Sequence, residues 1–156
     1  MQIGYVQFTN EPGARQLLSG NGTADYHPAA AVDRSGTRHI VFSRGGTIYH
    51  AQSAPGNSWR FDRVSAPSSH YYYPQIAIDD FTGLIHVVYW SDNKSIYYTQ
   101  RPLRGGAWSN AIALGGGKDP NVTVQKGKVF VSWSDSRNAY RLATRTFKKD
   151  KWQSVV

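Results

Sequence analysis

A 46-residue spacing constrains this chain more than any other feature. Pro28, Pro74 and Pro120 lie 46 residues apart, and each opens the same pattern of apolar and turn positions. The first copy reads HPAAAVDRSGTRHIVF, the second YPQIAIDDFTGLIHVVYW, and the third DPNVTVQKGKVFVSW. Trp59, Trp108 and Trp152 then fall at the same late position of each copy. Three in-register copies of this length mean that one supersecondary unit is repeated and stacked on itself.

Each unit reads as four short strands parted by turn residues. Strand A is expected over 29–32, 75–78 and 121–124, and strand B over 38–42, 85–90 and 129–133. Strand C follows over 47–52, 95–100 and 140–146, and strand D begins near each tryptophan. No segment has a helical period, and β-branched and aromatic residues are enriched where strands are expected. The chain therefore reads as all-β. A period near 46 with four strands per unit is that of a β-propeller blade. The small residues of strand A (Ala29, Ala30, Ala31) suit innermost strands crowded about an axis.

The strings AAAVDRSGTRHIVF and IAIDDFTGLIHVVYW, followed by TIYHAQ or SIYYTQ and then by SW or AW, resemble the BNR, sialidase-like propeller repeats. The resemblance covers nearly the whole chain and implies a propeller fold. It also implies an extracellular or virion-associated setting. The intact Asp-box of true sialidases, Ser-x-Asp-x-Gly-x-Thr-Trp, is not present, so the resemblance carries fold rather than sialidase activity.

Blades are expected over 27–65, 73–114 and 119–156. Residues 1–20 align with strands C and D of a further blade, giving about three and a half blades in one partial propeller. Closed rings hold typically four to eight blades. The open ends are therefore expected to be covered by a second copy, as a homodimer completing a ring of six or seven blades, unless the chain is a piece of a longer propeller.

Composition narrows the function classes. There is no cysteine, which removes disulfide scaffolds, thiolate metal sites and cysteine nucleophiles. The five histidines show no metal-ligand spacing, so neither a metal nor a cofactor is expected. No apolar run has the length of a membrane-spanning helix, and no membrane partner is expected. The net charge of +8 is concentrated late: eight basic residues over 126–151 face only Asp135 and Asp150. No nucleic-acid-binding motif accompanies that charge, and nucleic acid is not the expected partner.

In an A–B–C–D meander the D–A and B–C loops share one end. That end collects hydrogen-bonding and aromatic residues on a rigid scaffold, and it is the expected ligand face. The residues expected to bind ligand are Tyr26, His27, Arg44, His70, Tyr72, Asp92, Asn93, Asp135 and Arg137. A glycan is the expected ligand, because ring faces suit sugar rings and the polar groups suit hydroxyls. A lectin-like binding module is the leading reading. A glycoside hydrolase or polysaccharide lyase acting on an acidic glycan is the alternative, with His27, Tyr72 and Arg44 as candidate catalytic groups. A self-assembling propeller fragment without ligand is the third. His39 and His86 occupy one repeat position that holds Phe130 in the third unit, so they read as packing residues. Asp33 and Asp79 read as turn caps.

Overall fold

The computed structural model describes residues 24–68, 70–146 and 151–154, with the backbone of two short strands, β1 (Gly4–Tyr5) and β2 (Gln16–Leu17). β1 and β2 pair antiparallel within the segment expected to be a half blade; the rest of residues 1–23 lies outside the described residues. Lys148, Lys149 and Asp150 lie outside them too.

Three four-stranded antiparallel sheets follow. The first is β3 (Asp25–Val32), β4 (Arg38–Arg44), β5 (Thr47–Ser53) and β6 (Arg60–Arg63). The second is β7 (Tyr71–Asp79), β8 (Leu84–Ser91), β9 (Ser95–Pro102) and β10 (Ile112–Gly116). The third is β11 (Lys118–Gln125), β12 (Lys128–Ser134), β13 (Tyr140–Thr146) and β14 (Gln153–Ser154). Strand order equals chain order in each, as a meander requires.

The first strands run longer than the sequence reading gives them. They start at Asp25, Tyr71 and Lys118, because the X-Pro pair makes a bulge inside the strand rather than ending it. Proline has no N–H for the ladder, so pairing skips it and resumes two residues on. In all three sheets the residue before the proline takes a left-handed conformation: His27 at φ 53°, Tyr73 at φ 49° and Asp119 at φ 53°. Side chains rarely adopt this shape, and each instance costs about 1–3 kcal/mol. The repeat thus preserves a strained corner on one edge of every sheet.

Packing follows the two-residue period. Val41 and Ile48 of the first sheet meet Ile85, Val87 and Tyr89 of the second in one fully buried cluster. On the opposite face of the second sheet, Val88, Ile96 and Tyr98 meet Val129, Val131 and Trp133 of the third. The second sheet is consequently covered on both faces. From Val129 onward β12 alternates between buried and half-buried residues, because Phe130 and Ser132 point away from the second sheet. The turns add polar ties between sheets: Arg34 N–H donates to Asp80, and Gly127 N–H donates to Asp79 at 2.9 Å. Asp33 and Asp79 also cap their own turns, as expected, accepting from Ser35, Thr37 and Phe81 N–H groups.

Candidate functional site

The D–A and B–C loops do meet at one end. The first B–C turn bonds the segment entering the second sheet (Tyr71 N–H to Gly46 O, 2.8 Å). The second B–C turn bonds the segment entering the third (Gly117 N–H to Lys94 O, 2.6 Å). On this end the left-handed His27 lies against Tyr73, with ring centroids 3.7 Å apart, and edge-on to Tyr72 at 6.5 Å. Tyr26 flanks His27, and Trp90 touches both Tyr72 and Tyr73. Burial lowers the His27 pKa, so its ring is neutral near pH 7.

Several of the other expected ligand residues make bonds within the fold. Arg44 makes a two-pronged pair with the buried Asp25 (2.6 and 2.7 Å) and covers the Phe42 and Tyr49 rings. It projects from the face of the first sheet opposite the second, so His27, Tyr72 and Arg44 are not brought together. His70 pairs with Asp92 at 2.6 Å in the open, and Asn93 caps its own turn through Ser95 N–H. Asp135 accepts from Arg137 N–H, Ala139 N–H and the Arg141 guanidinium. Those bonds hold its carboxyl below the usual range.

A polar cluster the sequence reading passed over lies between the first and second sheets. Asp62 on β6 accepts from His50 Nδ1 (2.9 Å), Arg101 (2.9 Å) and the Trp108 indole N–H (2.5 Å). Arg101 crosses from the second sheet, is only 6% exposed, donates to Gln52 at 2.7 Å, and lies over the Trp108 ring at 5.0 Å. His50 in turn accepts at Nε2 from His39 Nδ1 at 3.0 Å, since its one imidazole proton sits on Nδ1 and is donated to Asp62. Burial pushes the Asp62 pKa up, but the hydrogen bonds from His50 and Trp108 and the Arg101 charge outweigh it and keep the group ionised.

The same positions recur in the other sheets. Cross-strand register makes Arg101 and Arg145 equivalent, opposite Ile85 and Val129 respectively. The first sheet carries its arginine on the facing strand instead, with Arg38 over Trp59 at 5.5 Å. Between the second and third sheets, His86 bonds Tyr98 at 2.7 Å and Trp152 stands edge-on to Tyr98 at 4.7 Å. There Ile112 holds the position of Asp62, opposite Tyr98 as Asp62 is opposite His50, and the buried Trp152 N–H has no partner among the described residues. Among the described residues, the carboxylate, guanidinium and indole meet as one set only at the first boundary.

That set forms one wall of a cleft of about 530 Å³, completed by Tyr71, Tyr89, Ser65, Ser109 and Asn110. A second cleft of about 350 Å³ lies between the second and third sheets beside Trp90.

The buried histidines make stability depend on pH. Burial and neighbouring His50 and Arg101 lower His39 to about 4, against the pull of Asp33; burial likewise lowers His86 to about 4. An unfolded histidine titrates near 6.5. The folded state thus resists protonation, and the stability contributed by neutral rings is full above about pH 6.5 and lost between about pH 6.5 and 4. Each group is worth roughly 2–3 kcal/mol over that window. Thermal unfolding followed by circular dichroism is expected to show the midpoint falling across it. Replacing His86 with phenylalanine, the side chain at the equivalent third-sheet position, is expected to flatten part of the fall, the rest remaining with His39 and the other buried rings. A midpoint that stays level from pH 7 to 4.5 contradicts the assignment.

The sequence matches no protein-family model and no curated protein sequence. Its fold matches solved structures. BP39L lectin from Burkholderia pseudomallei superposes with a TM-score of 0.72 at 12% identity, over 94% of this chain and 46% of that one. NanB sialidase from Streptococcus pneumoniae superposes with a TM-score of 0.66 at 16% identity, over 98% of this chain and 27% of that one. A fucose lectin from Kordia zhangzhouensis, solved in complex with methyl-fucoside, superposes with a TM-score of 0.53 at 17% identity. That match covers 81% of this chain and 96% of the lectin. The fold is that of a partial β-propeller. This chain spans about half the length of the Burkholderia lectin and nearly all of the Kordia one.

Proposed function

We propose that the chain is a carbohydrate-binding module and that its principal site is the cleft between the first and second blades. One observation carries the reading: a buried guanidinium, an ionised carboxylate and an indole are locked together in the wall of a cleft of about 530 Å³. Such a wall suits a neutral sugar. A cation meets Arg101, an anion meets Asp62, and a neutral hydroxyl can donate to the one acceptor site that His50, Arg101 and Trp108 leave on the carboxylate. Tyr89 also lines the cleft. The Trp108 ring supplies an apolar face. Preorganisation supports the reading too, because the groups need no rearrangement to receive ligand. The lectins among the structural neighbours are consistent with it.

Calorimetric titration with neutral methyl glycosides, methyl-fucoside among them, tests the proposal. At least one is expected to bind, with Trp108→Ala and Asp62→Asn each weakening it about tenfold or more. Failure of every neutral sugar, or binding indifferent to both substitutions, overturns it.

We further propose that a second copy completes the ring. The outward face of the third blade carries Phe130 and Leu142 beside a notch of about 120 Å³, where the inner blades carry the polar pairs His39–His50 and His86–Tyr98. Light scattering is expected to give about twice the chain mass of 17.4 kDa across dilution. A monomer at all concentrations contradicts this.

A further inference from the structure

The second cleft, on the D–A and B–C loop end between blades two and three, has a different chemistry from the first. Its carboxylate is already spent: Asp135 is saturated by two backbone N–H groups and the Arg141 side chain at 2.7 and 3.0 Å. Its two ammonium groups, on Lys94 and Lys118, are exposed and have no ion-pair partner among the described residues. They come from separate loops, yet the Gly117 N–H to Lys94 carbonyl bond fixes those loops to one another at 2.6 Å. Gly117 keeps the strip between them bare, since a Cβ there would run into Ser134 and Trp133. The indole N–H of Trp90 on the cleft's wall is a buried donor without an acceptor among the described residues. Ser136 adds a hydroxyl on the rim. The free groups are thus donors and positive charges, set against an aromatic wall and a backbone strip without side chains.

We infer that this cleft binds a small ligand carrying an oxyanion, whether carboxylate, sulfate or phosphate, on a sugar-sized body. The oxyanion sits between Lys94 and Lys118, and the body lies against Trp90. Exposed cations lining one cleft attract an anion through water, so the interaction is screened by salt. The site is separate from the neutral-sugar cleft and stands without it.

The test is titration of the full chain with glucuronic acid, glucose 6-sulfate and glucose 6-phosphate, with glucose as the uncharged control. The tryptophan indole N–H resonances report which cleft is filled. At least one anionic sugar is expected to bind and shift the Trp90 resonance, with affinity falling several-fold from about 50 to about 300 mM salt. The three anions separate the sources of the charge. Lys94→Gln with Lys118→Gln is expected to weaken binding about tenfold, and Trp90→Phe several-fold, while Trp108→Ala leaves it unchanged. Both lysines are exposed, so the double variant is expected to fold, which an unchanged thermal midpoint verifies. No shift of the Trp90 resonance by any of the three, an equal Trp90 shift by glucose, or affinity at that cleft unmoved by the double lysine variant overturns the inference.

Discussion

Arg101→Met is expected to lower stability by about 3 kcal/mol and to abolish neutral-sugar binding. The guanidinium is buried and serves Asp62 and Gln52 together while covering the Trp108 ring. Removing one partner of such a pair leaves the other charge uncompensated, which typically costs 3–5 kcal/mol. The lower end applies because Asp62 is one-third exposed and still holds His50 and Trp108. For a chain of this length the loss corresponds to a fall of roughly 6–12 °C in the unfolding midpoint. The diagnostic arm is a double-mutant cycle with Asp62→Leu. Each single change is expected to destabilise, and the double variant to recover much of the loss, because two apolar side chains leave no stranded charge. A coupling near zero would show that the pair does not act as a unit.

Gly117→Ala is the second large effect, expected at about 2–3 kcal/mol. The added methyl would strike the Ser134 carbonyl oxygen and the Trp133 ring, both held by packing between blades two and three. Overpacking against backbone and a buried indole has no cheap relief. Gly45→Ala is the control: its φ is +55° but nothing lies within 4 Å, so only backbone strain of about 1 kcal/mol is expected. Equal losses at the two positions in chemical denaturation would refute the account of Gly117.

The sequence shows the architecture because the repeat is written in its turns and apolar positions. Pro28, Pro74 and Pro120 mark the bulge, and the 46-residue spacing survives as three sheets of four strands. What the period does not show is the bulge's geometry: a proline reads as a strand's beginning, whereas the chain passes through it in a left-handed corner. The ligand groups were less legible. Asp25, Asp92 and Asp135 look available in a loop sequence, and only the structure reveals Arg44, His70 and Arg141 as their partners.

The Asp62 cluster was hidden for another reason. His39 accepts phenylalanine at its repeat position and so reads as packing, and it is indeed 1% exposed. Its partners His50, Asp62, Arg101 and Trp108 lie on three further strands and a loop, at separations no local motif spans. A signal existed in the recurrence of Arg101 and Arg145 one repeat apart, each followed by a tryptophan seven residues on. Cross-strand register was needed to read it.

The most direct test of the central claim is a map of the five tryptophan indole N–H resonances as a neutral sugar is added. The Trp108 N–H donates to Asp62 inside the proposed site, whereas Trp90 lies in the other cleft. A bound neutral sugar is expected to shift the Trp108 resonance in proportion to occupancy and to leave Trp90 in place. A shift of Trp90 with Trp108 unmoved would contradict it, and would put the sugar on the loop end instead.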